Sequence, residues 1–228
     1  MNSAIFSCAF QTACTDYLFL LNRGYPGRGA LDLVADHYRL NRSQRVVLYR
    51  GVFSDSESAD RRKRITTCYT GEALAVDLLN VLFTISNYLY GRTVFLATDG
   101  LLKDNGECFA KPQPGDTLLK AISLLASYLT DLHPLPGEIQ CYIDEDFDHC
   151  SYIKTEWEKR LNAPELNYIT EAVKSPDRIL KTTAAGLIAT ADSAIVDNAL
   201  CPVLDLAHQV ICRNFQTPVT DIKSFIGI

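Results

Sequence analysis

The chain has 228 residues, 47% of them apolar and 21% charged, which is enough to bury a genuine core without disulfide or metal staples and too ordinary in composition for overall disorder. A net charge of −5 speaks against nucleic-acid binding driven by bulk charge, because phosphate affinity draws on Lys and Arg. That charge is uneven, however: from Asn22 to Arg64 ten Lys or Arg face five Asp or Glu, so the remainder carries about −10. The eight cysteines contain no CxxC pair, which excludes a zinc ribbon or thioredoxin-type motif, and they read as reduced, mostly buried thiols of a cytoplasmic protein. Met1 to Leu21 carries Asp16 and no basic stretch ahead of an apolar one, which argues against a signal peptide, and runs such as Tyr17 to Leu21 are too short to span a bilayer.

In chain order, Ala9 to Asn22 reads as a helix stopped by Arg23-Gly24-Tyr25-Pro26-Gly27. Gly29 to Tyr38 follows as a second, with Ala30, Leu31, Val34 and Ala35 as its apolar stripe. Asn41 is the expected N-cap of a third. The charged stretch Ser54 to Arg64 marks a boundary, giving a helical module over 1–65 and a second domain over 66–228. Beyond Gly71 short apolar strands alternate with helical stretches, the pattern of a parallel α/β sheet. Strands are expected at Glu72 to Val76, Thr93 to Thr98, Ile139 to Ile143, Leu166 to Val173 and Leu187 to Thr190. Helices are expected from Val81 to Tyr88, from Thr117 to Asp131 and from Tyr152 to Leu161.

Four of these strands run into an aspartate: Asp77, Asp99, Asp144 and Asp192. Open parallel sheets bind ligands beyond the carboxyl ends of their strands, so the four carboxylates are expected to converge on one rim. Clustered carboxylates raise each other's pKa, a cost offset by a cation, and hard oxygen donors select Mg²⁺ or Mn²⁺ over zinc. The plainer reading is that Asp is a favoured helix N-cap where a chain leaves the core.

The residues around these acids resemble PIN and NYN-type nuclease domains. Leu74-Ala75-Val76-Asp77-Leu78-Leu79-Asn80 is similar to the family's opening strand, which implies Asp77 as a metal ligand and Asn80 as an organiser of the site. Leu187-Ile188-Ala189-Thr190-Ala191-Asp192 resembles a late family motif and implies Asp192 as a ligand supported by Thr190; Ser175-Pro176-Asp177 resembles the one before it and adds Asp177. More broadly, Arg23-Gly24-Tyr25-Pro26, Tyr38-Arg39-Leu40, Leu48-Tyr49-Arg50-Gly51-Val52, Asp77 to Leu82, Asp99-Gly100 and Asp104 resemble an uncharacterised prokaryotic family that joins a helical region to a PIN-like one. The resemblance implies a PIN-like three-layer α/β fold with a mainly parallel sheet and metal-dependent phosphodiester hydrolysis, on RNA rather than DNA. In that reading Asp77, Asp99, Asp144 and Asp192 hold Mg²⁺ or Mn²⁺, with Asn80, Asp104, Asp177 and Thr190 in support.

Two alternatives stay open. One is a catalytically silent PIN-like scaffold that binds RNA or a protein, using Arg39, Arg42, Arg45 and Arg50 to hold a phosphate backbone and Tyr38 and Tyr49 to stack on unpaired bases. Against it, such arginines also serve as a salt-bridged helix face. The other is a haloacid-dehalogenase-like phosphatase with Asp144 as nucleophile and Asp146 as acid/base. Asp144-Glu145-Asp146-Phe147-Asp148-His149 lacks the Gly of an EF-hand, no P-loop or GxGxxG occurs, and His208 among apolar neighbours reads as a core or edge residue.

Overall fold

The structure, a computed structural model, describes residues 5–161, 164–184, 186–216 and 219–228. Met1 to Ala4, part of the stretch read against a signal peptide, lie outside it. The chain opens with α1 (Cys8–Asn22), α2 (Gly27–His37), α3 (Arg42–Gly51) and α4 (Asp55–Arg64), then β1 (Ile65–Thr66), β2 (Leu74–Asp77) and α5 (Leu78–Leu89). β3 (Val94–Leu96), β4 (Leu102–Asp104), α6 (Asp116–Thr130), β5 (Ile139–Asp144), α7 (Cys150–Arg160) and β6 (Tyr168–Val173) follow. The last stretch holds α8 (Pro176–Thr182), β7 (Leu187–Ala189), α9 (Ser193–Val196), β8 (Val203–Leu204), α10 (Leu206–Asn214), β9 (Thr220–Asp221) and α11 (Ile222–Ile226).

Two compact units result. The helical unit gathers the described residues within 1–63, 91–111 and 217–228; the α/β unit takes 64–90 and 112–216. Two segments later than residue 65, within 91–111 and 217–228, thus group with the helical unit. In that unit Ser7 caps α1 by accepting the Phe10 amide at 3.2 Å. Asn41 and Gln44 form a reciprocal capping box on α3. The core joins Phe10, Tyr17, Val47 and Leu48 to Phe95 and Ile222 from the returning segments. Its three-stranded sheet has the order β4-β3-β9, with β3 and β4 antiparallel around a turn in which Gly100 takes φ +90°.

The α/β unit carries a six-stranded, fully parallel sheet of order β1-β8-β7-β2-β5-β6. Every residue of β2 and β7 is buried, as central parallel strands require, whereas the edge strand β6 is largely exposed. Helix α6 supplies Leu118, Ile122, Leu125 and Leu129 as one buried stripe, the spacing that predicted it. From β2 the chain steps to β5 and β6 on one side, then returns to place β7 and β8 on the other. The strand order thus reverses between β2 and β7, and that is where an open parallel sheet forms its ligand crevice.

All eight cysteines are free thiols, yet only Cys14, Cys141 and Cys150 are buried, so the expectation of mostly buried thiols is corrected. Among the described residues no helix is long and apolar enough to cross a membrane.

Candidate functional site

The crevice between β2 and β7 is built by a few short bonds. Asp77 ends β2 and caps α5, its Oδ1 accepting the Asn80 backbone amide at 3.4 Å. Its Oδ2 accepts the Thr190 hydroxyl at 3.1 Å, tying the ends of two adjacent strands together. Asn80 closes the link: its Oδ1 accepts the Ala191 amide at 2.9 Å and lies 3.5 Å from the Thr190 hydroxyl. The Asp192 amide in turn donates to Thr190 Oγ1 at 3.1 Å. Asp192 then caps α9, accepting the Ala194 amide on Oδ1 at 2.7 Å, and its other oxygen has no partner among the described residues.

Asp77 is 8% exposed. Burial lifts its carboxyl to about 7, opposed by the hydrogen bonds from Asn80 and Thr190 and reinforced by the negative charges of Asp192 and Asp177. Two other singled-out acids, Asp192 and Asp177, therefore act on Asp77. Asp177, in the first turn of α8, is exposed with Lys181 at 3.8 Å. Asp144 ends β5, the strand next to β2 opposite the crevice, and uses Oδ1 to accept the Asp146 amide at 3.0 Å in a tight turn. Asp146 itself is exposed on that turn.

Asp99 and Asp104 are not part of the α/β unit that forms this rim. Both belong to the helical unit, and β3, read from its apolar run as a strand of the main sheet, lies in the other sheet. Asp99 is fully buried; its Oδ2 pairs with Arg61 at 3.1 Å and its Oδ1 accepts the Leu101 amide. Arg61 also lies over the Phe53 ring, 4.1 Å from its centroid. The carboxylate expected to meet a cation has met a guanidinium. Asp104 accepts the Gly106 amide at 2.7 Å and has Arg50 at 3.9 Å.

The arginines expected on a nucleic-acid face are largely engaged within their own unit. Arg45 pairs with Asp36 at 2.6 Å, Arg42 donates to the Glu107 carbonyl at 2.9 Å and Arg50 reaches Glu107 at 3.2 Å. Arg39 is exposed and holds φ +50° at the turn after α2.

Sequence reading missed Asp205, which directly follows β8, is buried, and caps α10 by accepting the His208 amide at 3.0 Å, as Asp77 at the end of β2 caps α5. The signal was present in Val203-Leu204-Asp205, a short apolar strand ending in an acid. Half-buried His208 sits in the first turn of that helix.

Among the described residues no group of three or more His, Cys, Asp or Glu is arranged to hold a metal ion by itself. The donors fit a hard cation only as a partial site, one or two carboxylates whose shell is completed by water and ligand oxygens, which is how Mg²⁺ is ordinarily held.

Fold and crevice together define a parallel α/β unit with an acid-lined switch point, in a chain that also forms a helical unit. A family model described as "Domain of unknown function (DUF5616)" matches residues 66–209, and the chain belongs to that family. Residues 9–64 match a second model, "Protein of unknown function (DUF434)". The chain is 26% identical over 206 residues to the uncharacterized protein MJ0935 of Methanocaldococcus jannaschii, covering 89% of this chain and 97% of that protein. No solved structure matches.

Proposed function

We propose that this chain is a metal-dependent phosphodiesterase of PIN-like type, acting at the crevice between β2 and β7 and on RNA by its resemblance to that class. The observation that carries the reading is the bonded cluster of Asp77, Asn80 and Thr190 at the switch point, with Asp192 and Asp177 acting electrostatically on Asp77. A buried carboxylate held in one rotamer beside other acids is disfavoured as an anion until a cation arrives. Asp77 and Asp192 would hold Mg²⁺ or Mn²⁺, with Asp144 contributing from the neighbouring strand. Thr190 and Asn80 fix the orientation of Asp77, and Asp99 and Asp104 are left out because they belong to the other unit. Bound there, the cation supplies a lowered water pKa and neutralises charge on a phosphoryl oxygen.

Melting with and without millimolar Mn²⁺ tests this. At a hundredfold excess over Kd a ligand of the folded state alone adds about 2.7 kcal/mol, a rise of several degrees for a chain of this size. The wild type is expected to show it, and Asp77→Asn is expected to lose both the rise and any Mn²⁺-dependent hydrolysis of bis(p-nitrophenyl) phosphate. No rise in the wild type would sink the metal reading and leave the aspartates as helix caps of a non-catalytic scaffold.

A further inference from the structure

The Asn80 carboxamide has only one orientation that satisfies its neighbours. Ala191 presents a backbone amide, which can only donate, so the atom 2.9 Å from it must be the Asn80 oxygen. That bond, with the weaker approach of the Thr190 hydroxyl at 3.5 Å, occupies the lone pairs of Oδ1. Two consequences follow. The oxygen is unavailable to a cation, and an amide nitrogen, its lone pair delocalised, is no ligand for a hard ion. The Nδ2 group donates to none of the described residues and is not sealed from solvent, so both of its protons are open to an acceptor from outside, on a half-buried side chain two bonds of network away from Asp77.

A neutral double donor beside a cluster of acids is matched to an acceptor that carries its own negative charge and comes from outside the protein. We infer that Asn80 receives a non-bridging oxygen of the phosphodiester through Nδ2, while its Oδ1 stays locked to the β7 end. This rests on the phosphodiesterase reading of the same crevice. It also divides the labour there: Asp77 and Asp192 face the cation, Asn80 faces the anion, and Thr190 keeps the two in register. Because the donor is uncharged, it adds affinity for the diester without competing with the cation for Asp77.

The test uses the full chain and two readouts. Asn80→Asp preserves the accepting oxygen toward Ala191 and Thr190 but deletes both donors, so the fold should survive; a melting curve verifies this. The side-chain NH₂ resonances of Asn80, identified by their absence from the Asn80→Asp spectrum, are followed in the wild type during titration with bis(p-nitrophenyl) phosphate in the presence of Mg²⁺. The expected result is a shift of those resonances, with Asn80→Asp losing about 10- to 100-fold in kcat/KM under Mn²⁺ while keeping the Mn²⁺-induced rise in melting temperature. Unmoved resonances with Asn80→Asp near wild-type activity overturn the inference and leave the phosphodiesterase reading standing. A shift without metal-dependent hydrolysis removes the enzymatic reading and retains Asn80 as an anion donor; neither shift nor hydrolysis overturns both. Should Asn80→Asp fail to fold, the wild-type resonances alone decide.

Discussion

Asp77 is where sequence, stability and the proposed chemistry meet. Its carboxyl ordinarily releases a proton near pH 3.8, and in the fold, burial delays release until about 7. Between those values the folded chain holds a proton that the unfolded chain has released, so stability falls as pH rises through that window. Below about pH 4 both states are protonated and the penalty vanishes, while above pH 7 it is fully present. Each pH unit is worth about 1.4 kcal/mol, so the full penalty is about 4 kcal/mol. Asp77→Asn cannot ionise; it keeps an acceptor for Thr190 and loses the one for the Asn80 amide, a cost that is the same at every pH. In chelator-treated protein the variant should therefore gain on the wild type from pH 4 to 7 by an amount of that order, read from urea unfolding. Parallel curves would mean that Asp77 ionises freely in the fold.

At the scale of elements, the crevice depends on how closely β7 enters beside β2. Gly186, with φ +82°, begins that entry, and a Cβ there would come within 2.0 Å of the Ala73 carbonyl oxygen. That same oxygen accepts the Leu187 amide at 2.8 Å, so it cannot yield without opening the ladder between the two strands. Gly186→Ala is expected to cost about 3 kcal/mol or more, combining backbone strain with a lost buried hydrogen bond. A melting temperature within a degree or two of wild type would show that β7 can shift, and the crevice with it.

Much of this scale was legible in the sequence. The stripes of α2 and α6, the Asn41 cap and the central strands β2, β5 and β7 all follow from periodicity and punctuation. Two local signals were present but unused. Ser54-Asp55-Ser56-Glu57 is a capping box, and Ser54 and Glu57 do bond reciprocally at the start of α4, in a stretch read only as a charged boundary. Asp99-Gly100 between apolar residues is a hairpin turn, which would have separated β3 from the parallel sheet and Asp99 from the rim. What no local pattern carries is which strands distant in sequence pair, as β3 does with β9. The apolar run at Val94–Leu96 looks the same in either sheet, and only the partners decide that Asp99 meets Arg61 rather than Asp77.

At the scale of the whole molecule, the chain builds each unit from segments separated in sequence. It leaves the helical unit after α4, returns for β3 and β4, and returns again at its C-terminus for β9 and α11. A boundary drawn at residue 65 would make the last twelve residues part of an α/β domain, where their loss should leave the helices untouched. The packing says otherwise. Ile222 is fully buried and Ile226 nearly so in the core that also holds Phe10 and Val47. Phe225 lies 5.4 Å from the Phe6 ring and 6.1 Å from that of Phe10, and its carbonyl oxygen accepts the Gln11 side-chain amide. Each buried aliphatic or aromatic side chain is worth about 1.5–3 kcal/mol, so a chain ending at residue 216 should lose roughly 3–6 kcal/mol from the helical unit. Hydrogen exchange locates the loss: protection should fall first in α1 and α3, while the strands β2, β5 and β7 stay protected if the α/β unit opens independently. Unchanged protection in α1 would show that the helices stand without their C-terminal segment, and that in energy the boundary lies at residue 65.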